Sequence, residues 1–277
     1  MALSISRAWD ETRDIVQRDG KLMAVIVAAL VLLPTALANL VSPTVPGEPA
    51  AEVDAGRSLL ELLMGLIMQV GALATTAVAL RPGLKVGEAI ATGLRKLLPA
   101  LGAILLFVLP FFFLIVVAIG VTAGPEDAAQ LQARIAAGDI PGSLLTIIFV
   151  ALLAFIFLAV RLALMAPVTV AESDNPLTIL KRSWALTRGH FWRLFAYIVI
   201  LAIGALLVMA AVSFVLGGVI IAVFGTPEPM NLSALFLGLL IGAANAGLVL
   251  VFATMSARIY AQLATVPTVP HVDSKPA

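Results

Sequence analysis

Cysteine is absent from this chain of 277 residues, and histidine occurs only as His190 and His271. The lack of cysteine excludes disulfide bonds, thiolate metal sites and cysteine nucleophiles. Two histidines are too few for a histidine-rich metal site. The sequence therefore predicts no metal and no cofactor, and the missing cysteines leave the redox compartment open.

Charged residues are also scarce, at 12% of the chain, whereas soluble domains contain about 25%. Hydrophobic residues make up 61% of the chain and its mean hydropathy is +1.10. So much apolar surface needs lipid as its solvent. The net charge of +1 offers no field that would attract nucleic acid. The composition predicts an all-α integral membrane protein with no nucleic-acid partner.

Six apolar runs are long enough to cross a bilayer as helices. The fifth exceeds the roughly 30 Å of a hydrocarbon core, so this helix must tilt, protrude or break, and Gly217-Gly218 is the predicted place for a break. We predict a single membrane domain over residues 1–263 and a disordered tail over 264–277, where three prolines occur. The six spans lie at about 22–41, 58–80, 99–121, 143–166, 191–224 and 232–257.

The first apolar run has a second interpretation. Its Ala36-Leu37-Ala38 triplet is similar to the cleavage site of a signal peptide. The polar segment before it carries as many acids as bases, which favours a membrane span, and cleavage stays an open alternative. Pro34 lies within the run and predicts a kink.

The basic residues are divided unequally between the two sides of the predicted bundle. Six spans place both termini on one side, and fifteen of the 17 bases lie on that side. Only Arg57 and Arg134 lie on the other. Short loops rich in Lys and Arg stay in the cytoplasm. The pattern predicts a bacterial inner-membrane protein with both termini cytoplasmic.

Three polar segments precede the odd-numbered spans, at residues 1–21, 81–98 and 175–193. Each has an apolar and a charged face at helical spacing, which predicts cytoplasmic interfacial helices. The third begins with Asn175-Pro176, a cap followed by proline, and Gly189 is its predicted end. Tryptophan prefers the headgroup region, so we predict interfacial aromatic anchors at Trp9, Trp184 and Trp192.

The first and third polar segments share the pattern R-x-W-x-x-T-R, at residues 7–13 and 182–188. The second has the same place in the chain but lacks the tryptophan. Spans 2, 4 and 6 each end in an arginine. These features predict a threefold parallel repeat of one interfacial helix and two spans. The alternative is that topology alone selects basic flanks and interfacial tryptophans.

A few polar or small residues lie inside the predicted spans. Gln69 is predicted to hydrogen-bond between helices, with a polar pathway as the alternative. Asn245 is predicted to take part in helix packing, with contact to a substrate as the alternative. Gly238, Gly242 and Ala246 recur every four residues and predict a face for close helix packing.

Candidate catalytic residues are confined to Glu172, Ser173 and Asp174, which lie near His190 in sequence. Carboxylates beside a helix start are typical of caps, and a lone histidine is typical of an interfacial side chain. No catalytic residue is therefore predicted.

The region around residues 160–200 resembles a known family. Its marker residues are Arg161, Pro167, Glu172 and the run K-R-S-W-A-L-T-R-G from Lys181 to Gly189. It is similar to the membrane domain of glycerophosphoryl diester phosphodiesterases and to related six-span bacterial membrane proteins. In phosphodiesterase members of that family the chemistry belongs to a separate soluble domain. The resemblance implies a membrane module without an active site.

We predict a non-catalytic membrane protein that organises lipids or partner proteins. Anionic headgroups are the expected partners, and a homo-oligomer or a partner membrane protein is possible. A transporter or channel for a lipid or small solute is one alternative, and a module assisting a separate lipid phosphodiesterase is another. The bases are expected to contact headgroups, unless they only set the topology. The candidate contacts are Arg7, Arg13, Arg182 and Arg188.

Overall fold

The computed structural model describes residues 3–43, 55–123 and 142–264, and these ranges contain helices and no β-strand. The all-α fold class is confirmed. Two π-helical segments interrupt the α-helices, at Ala28–Leu32 and Ala211–Leu216. The α-helices in these ranges are α1 (Ile5–Val27), α2 (Leu33–Val41), α3 (Ala55–Leu80), α4 (Val86–Ala123), α5 (Gly142–Leu162), α6 (Met165–Ala171), α7 (Pro176–Thr187), α8 (Phe191–Ala210), α9 (Gly217–Phe224) and α10 (Leu232–Ala264).

Within the described ranges, six helical stretches are long and apolar enough to cross a membrane, which confirms the predicted number. The chain is therefore a multi-pass membrane protein. Most of the predicted tail at 264–277 lies outside the described residues, as does Arg134. In chain order, spans 1 to 6 are Ile5–Val41, Ala55–Leu80, Val86–Val117, Gly142–Ala171, Phe191–Phe224 and Leu232–Ala264.

The structure corrects the boundaries of two polar segments that the sequence predicts as separate helices. α1 continues from its polar first half into span 1, and α4 begins at Val86 and continues past Pro99. Gly20 lies inside α1. In contrast, Gly189 has a φ of +85°, which an α-helix does not accept. Gly189 separates α7 from α8, so only the third polar segment is a helix of its own.

The two π-helical segments lie where the sequence predicts a kink and a break. Pro34 has no N–H, so a carbonyl of the preceding turn loses its partner. The helix forms a wider turn before the proline, in which the Leu33 N–H donates a hydrogen bond to the Ala28 carbonyl five residues earlier. In span 5 the second segment ends at Leu216, directly before Gly217. The predicted break at Gly217-Gly218 is wrong, because this π-helical segment carries the helix on into α9.

α10 lies at the centre of the bundle and packs against α1, α2 and α3. Its small residues face span 1. A Cβ added to Gly242 would lie 2.7 Å from the backbone oxygen of Leu32, and one added to Gly238 would lie 2.9 Å from that of Ala36. Ala246, one turn further, is buried beside Val31. Small side chains therefore set how closely α10 and span 1 approach.

The six spans are unequally buried. Half of the most apolar window of span 2 is buried, but none of that of span 5. The most apolar windows of spans 1, 2 and 6 are thus the better buried ones. Span 5 and most of spans 3 and 4 expose large apolar side chains such as Phe113, Phe149 and Leu206. Exposure of so many apolar side chains to water would be unfavourable. This surface is therefore available to lipid or to another membrane protein.

The bundle has two distinct ends. At one, the Met230 N–H donates to the Leu40 carbonyl over 2.8 Å, which joins the loop before α10 to the end of α2. At the other, Arg258 of α10 pairs with Glu11 of α1. We call this second end, where α6, α7 and the first halves of α1 and α4 meet, the charged end.

Candidate functional site

α6 and α7 form the part of the charged end that contains most of the residues on which the resemblance to a known family rests. The Asn175 side chain accepts a hydrogen bond from the Leu177 N–H over 3.0 Å, and Pro176 occupies the first turn of α7. The predicted start of this helix is confirmed, as is its end near Gly189. Gly102 of α4 makes room for Pro176, because a Cβ there would lie 2.8 Å from the proline ring.

Glu172 follows α6 and joins three helices. Its Oε2 accepts a hydrogen bond from Arg182 Nε of α7 over 2.8 Å. Its Oε1 accepts one from the Tyr260 hydroxyl of α10 over 2.6 Å. Tyr260 is buried as a residue. One carboxylate therefore holds α6, α7 and α10 together.

Arg161, near the end of α5, lies in an aromatic cage. Its Cζ is 5.3 Å, 5.2 Å and 5.6 Å from the ring centroids of Phe157, Trp184 and Phe191. Its Nε and Nη1 are buried and have no hydrogen-bond partner among the described residues. Aromatic faces attract a guanidinium because their quadrupoles are negative. The charge of Arg161 is therefore held by rings from α5, α7 and α8 rather than by an acid.

The backbone of Arg161 is bound to α7 as well. Its carbonyl accepts hydrogen bonds from Ser183 Oγ over 3.0 Å and from Thr187 Oγ1 over 3.2 Å. Both hydroxyl residues are fully buried. Carbonyl groups in the last turn of a helix have no N–H donor within the helix. The two hydroxyl groups of α7 act as donors to this carbonyl instead. The residues that resemble a family marker thus contact one another and fix α7 on α5.

Ion pairs and hydrogen bonds join the remaining elements at the charged end. Lys96 of α4 contacts Asp174 before α7 at 2.8 Å, and Arg258 of α10 contacts Glu11 of α1 at 2.9 Å. Arg193 of α8 donates to the Leu3 carbonyl over 2.8 Å. The last two contacts link the beginning of the described chain to α10 and α8.

The four arginines predicted to contact lipid headgroups fall into two classes. Arg7 pairs with Glu11, and Arg182 pairs with Glu172. Arg13 and Arg188 are exposed, and neither has an ion-pair partner within the described part of the chain. The structure therefore leaves two of the four without an ion pair to a described residue.

The three tryptophans all lie at the charged end. Trp9 and Trp192 expose 53% and 75% of their surface, so both can reach a surrounding membrane. Trp184 is less exposed and packs edge-on against Phe157, with ring centroids 6.0 Å apart. Trp192 makes similar edge contacts with Phe191 and Phe195.

A cavity of about 280 Å³ lies between spans 2, 3, 4 and 6. Gln69 lines it and is half-buried, with no hydrogen bond to any described residue. Thr169 also lines it, but its hydroxyl is bonded to the Met165 carbonyl. Asn245 of span 6 is half-buried too. Gln69 lines this space, and its interhelical hydrogen bond stays a prediction.

The candidate catalytic residues are engaged in structural contacts. Glu172 binds Arg182 and Tyr260, and Asp174 pairs with Lys96. Ser173 Oγ accepts a hydrogen bond from a backbone N–H two residues later. The described residues contain no group of three or more His, Asp or Glu that could hold a metal ion.

Sequence reasoning missed two parts of this site. Phe157 precedes Arg161 by four residues, so helical spacing alone places them on one face. Tyr260 gave no such signal, because its partner Glu172 is 88 residues away in sequence. Only the packing of α6 on α10 brings that pair together.

Residues 3–263 match the family described as "Domain of unknown function (DUF7847)". The chain belongs to this family. No curated protein and no solved structure matches it. The DUF7847 match covers the site and the six spans except for Ala264, so the contacts above lie within the family domain. The resemblance to the phosphodiesterase membrane domain stays a prediction.

We expect replacement of Arg161 by lysine to lower the free energy of unfolding of this DUF7847 protein by about 1.5 kcal/mol. Lysine keeps the positive charge but lacks the planar group that stacks on three rings. Unfolding in mixed micelles, followed by circular dichroism, measures the loss. Arg188→Lys is the matched control, because Arg188 is exposed and has no ring contact among the described residues. Equal stability of the two variants would contradict a role for the cage.

Proposed function

We propose that the protein is a non-catalytic membrane protein that gathers anionic lipids at its charged end. Its two exposed arginines without an acidic partner, Arg13 and Arg188, carry the proposal. Each lies four residues after a tryptophan of the same R-x-W-x-x-T-R pattern, Trp9 and Trp184. An arginine near an anionic leaflet contributes about 1 kcal/mol to lipid attraction, and tryptophan prefers the same depth.

The proposed membrane is the bacterial inner membrane, with the charged end and both termini in the cytoplasm. The excess of basic residues at this end supports that orientation. Anionic lipids give the cytoplasmic leaflet a negative potential. An arginine without an ion pair at the charged end would therefore lie where anionic headgroups are available.

The proposed function extends to a threefold repeat of the interfacial segments. Matching positions have matching environments, because Thr12 and Thr187 are buried while Trp9 and Trp184 are partly exposed. This shared burial supports a common origin of the first and third segments beyond the demands of topology.

Neutralising Arg13 and Arg188 together, as Arg13→Gln/Arg188→Gln, tests the proposal. All three tryptophans lie at the charged end, so energy transfer from tryptophan to a headgroup-labelled lipid reports on that end alone. In nanodiscs of phosphatidylcholine we expect the intact protein to concentrate labelled phosphatidylglycerol. In the variant, the enrichment of phosphatidylglycerol should fall by a factor of about five for each charge removed. High salt should reduce the enrichment of the intact protein.

Arg57→Gln serves as the control, because it removes one charge at the opposite end of the bundle and should leave the signal unchanged. Unchanged enrichment of phosphatidylglycerol in the double variant would contradict the proposal. A second candidate function, transport of a small solute, is favoured by the Gln69 cavity. Flux of a solute through proteoliposomes, lost in Gln69→Leu and unaffected by the arginine changes, would decide for transport instead.

A further inference from the structure

A cleft of about 390 Å³ lies at the junction of α4, α5 and α7. Its walls are apolar and belong to spans 3 and 4, and its rim at the charged end is formed by α7. The α4 residues Leu106 and Pro110 are exposed, so the cleft is open along the side of the bundle. The residues on which the inference depends are Leu106, Pro110, Leu158, Leu162, Lys181 and Trp184.

A second apolar cavity, of about 290 Å³, lies further along the same pair of helices. On α5 it is lined by Val150 and Ala154, and the first cleft by Leu158 and Leu162. Residues four apart share one helix face, so 150, 154, 158 and 162 form a single stripe. On α4 the two linings together extend from Leu106 to Ile115, which is about 14 Å of helix. The two spaces therefore follow one groove along the α4–α5 pair.

Lys181 is the charged group at the rim of this groove. Its side chain lines the cleft and is exposed, and it has no ion-pair partner among the described residues. The neighbouring basic residue in sequence, Arg182, is already paired with Glu172. Lys181 therefore offers an ammonium group beside an apolar groove, at the depth where a headgroup would lie if the charged end faces the membrane surface.

We propose that the groove between α4, α5 and α7 binds one acyl chain of an anionic glycerophospholipid, whose phosphate contacts Lys181. This rests on the proposed function, since it gives the attraction of anionic lipid a specific site. The occupant follows from the two chemistries of the groove. Its walls match a lipid tail, and its one charge matches a phosphate. An ammonium without an acidic partner is a poor complement to a second apolar copy of the chain.

Native mass spectrometry of the full chain in mild detergent tests the site. The probes are phosphatidylglycerol and phosphatidylcholine with identical acyl chains, and inorganic phosphate. We expect one tightly retained phosphatidylglycerol per chain, and no retention of free phosphate. Lys181→Gln should weaken retention of phosphatidylglycerol by about fivefold and leave phosphatidylcholine unchanged. Ala154→Leu, which fills the second cavity, should weaken both lipids because it shortens the space for the chain.

Lys85→Gln is the matched control. Lys85 is exposed and precedes α4, and it does not line the cleft, so its loss should not change retention. Equal retention by Lys181→Gln and the intact protein would overturn the site. So would a lipid-free dimer that Ala154→Leu converts to monomer, because a second copy would then occupy the groove. If Lys181→Gln has no effect while Arg13→Gln/Arg188→Gln still loses lipid enrichment, the site is wrong and the proposed function stands.

Discussion

Replacing Gly242 with alanine is expected to lower the free energy of unfolding by about 2 kcal/mol, and leucine should cost more. The added Cβ would lie 2.7 Å from the backbone oxygen of Leu32 and 3.2 Å from its Cα. A backbone atom cannot turn away as a flexible side chain does. Span 6 and span 1 must therefore separate, and the contacts along their whole interface weaken. Unfolding in mixed micelles, followed by circular dichroism, measures the effect.

Gly247 supplies the control for this prediction. It lies in the same helix, and a Cβ there would meet no atom within 4 Å. Gly247→Ala should leave the protein as stable or slightly more so, because alanine favours helix more than glycine does. If Gly242→Ala and Gly247→Ala behave alike, the close contact between α10 and span 1 does not limit stability.

Replacing Glu172 with alanine is the second large change, with an expected loss of about 3 kcal/mol. Most of this comes from the hydroxyl of Tyr260, which loses its charged acceptor. The ion pair with Arg182 adds less, because the two side chains expose 37% and 27% of their surface and water screens them. Unfolding of the purified protein in detergent measures the loss.

A double-mutant cycle with Tyr260→Phe separates the two contributions. We expect Tyr260→Phe to cost about 1.5 kcal/mol alone and almost nothing when Glu172 is already alanine. Additive effects of the two changes would contradict a direct bond between them. Asp10→Asn provides a control, because it changes another exposed acid at the charged end, one without a side-chain hydrogen bond or ion pair to a described residue.

The charged end therefore combines two kinds of residue that look alike in sequence. In the first kind the charged group contacts another residue of the protein, as in Arg161, Arg182 and Glu172. Arg13, Lys181 and Arg188 have no such partner among the described residues and are exposed. Lipid contact is proposed only for the second kind, since a paired arginine would have to break its ion pair to bind a phosphate.

Much of the helical layout could be predicted from local patterns. The number of spans follows from six apolar runs, and the start and end of α7 follow from Asn175-Pro176 and Gly189. These features depend on solvation and on backbone preferences of neighbouring residues. The ends of α1 and α4 could not be predicted in this way. The same amphipathic pattern is compatible with a separate helix and with a helix that continues into the span.

The sequence by itself determined that this is an all-helical chain for a membrane, because apolar composition and helix signals act over a few turns. Only the tertiary structure decided which polar residues are partners. Glu172 and Tyr260 meet because α6 packs on α10, and the cage around Arg161 needs rings from three helices. The groove at Lys181 is likewise a space between helices. Such contacts depend on how helices pack, and residues far apart in sequence carry no local sign of it.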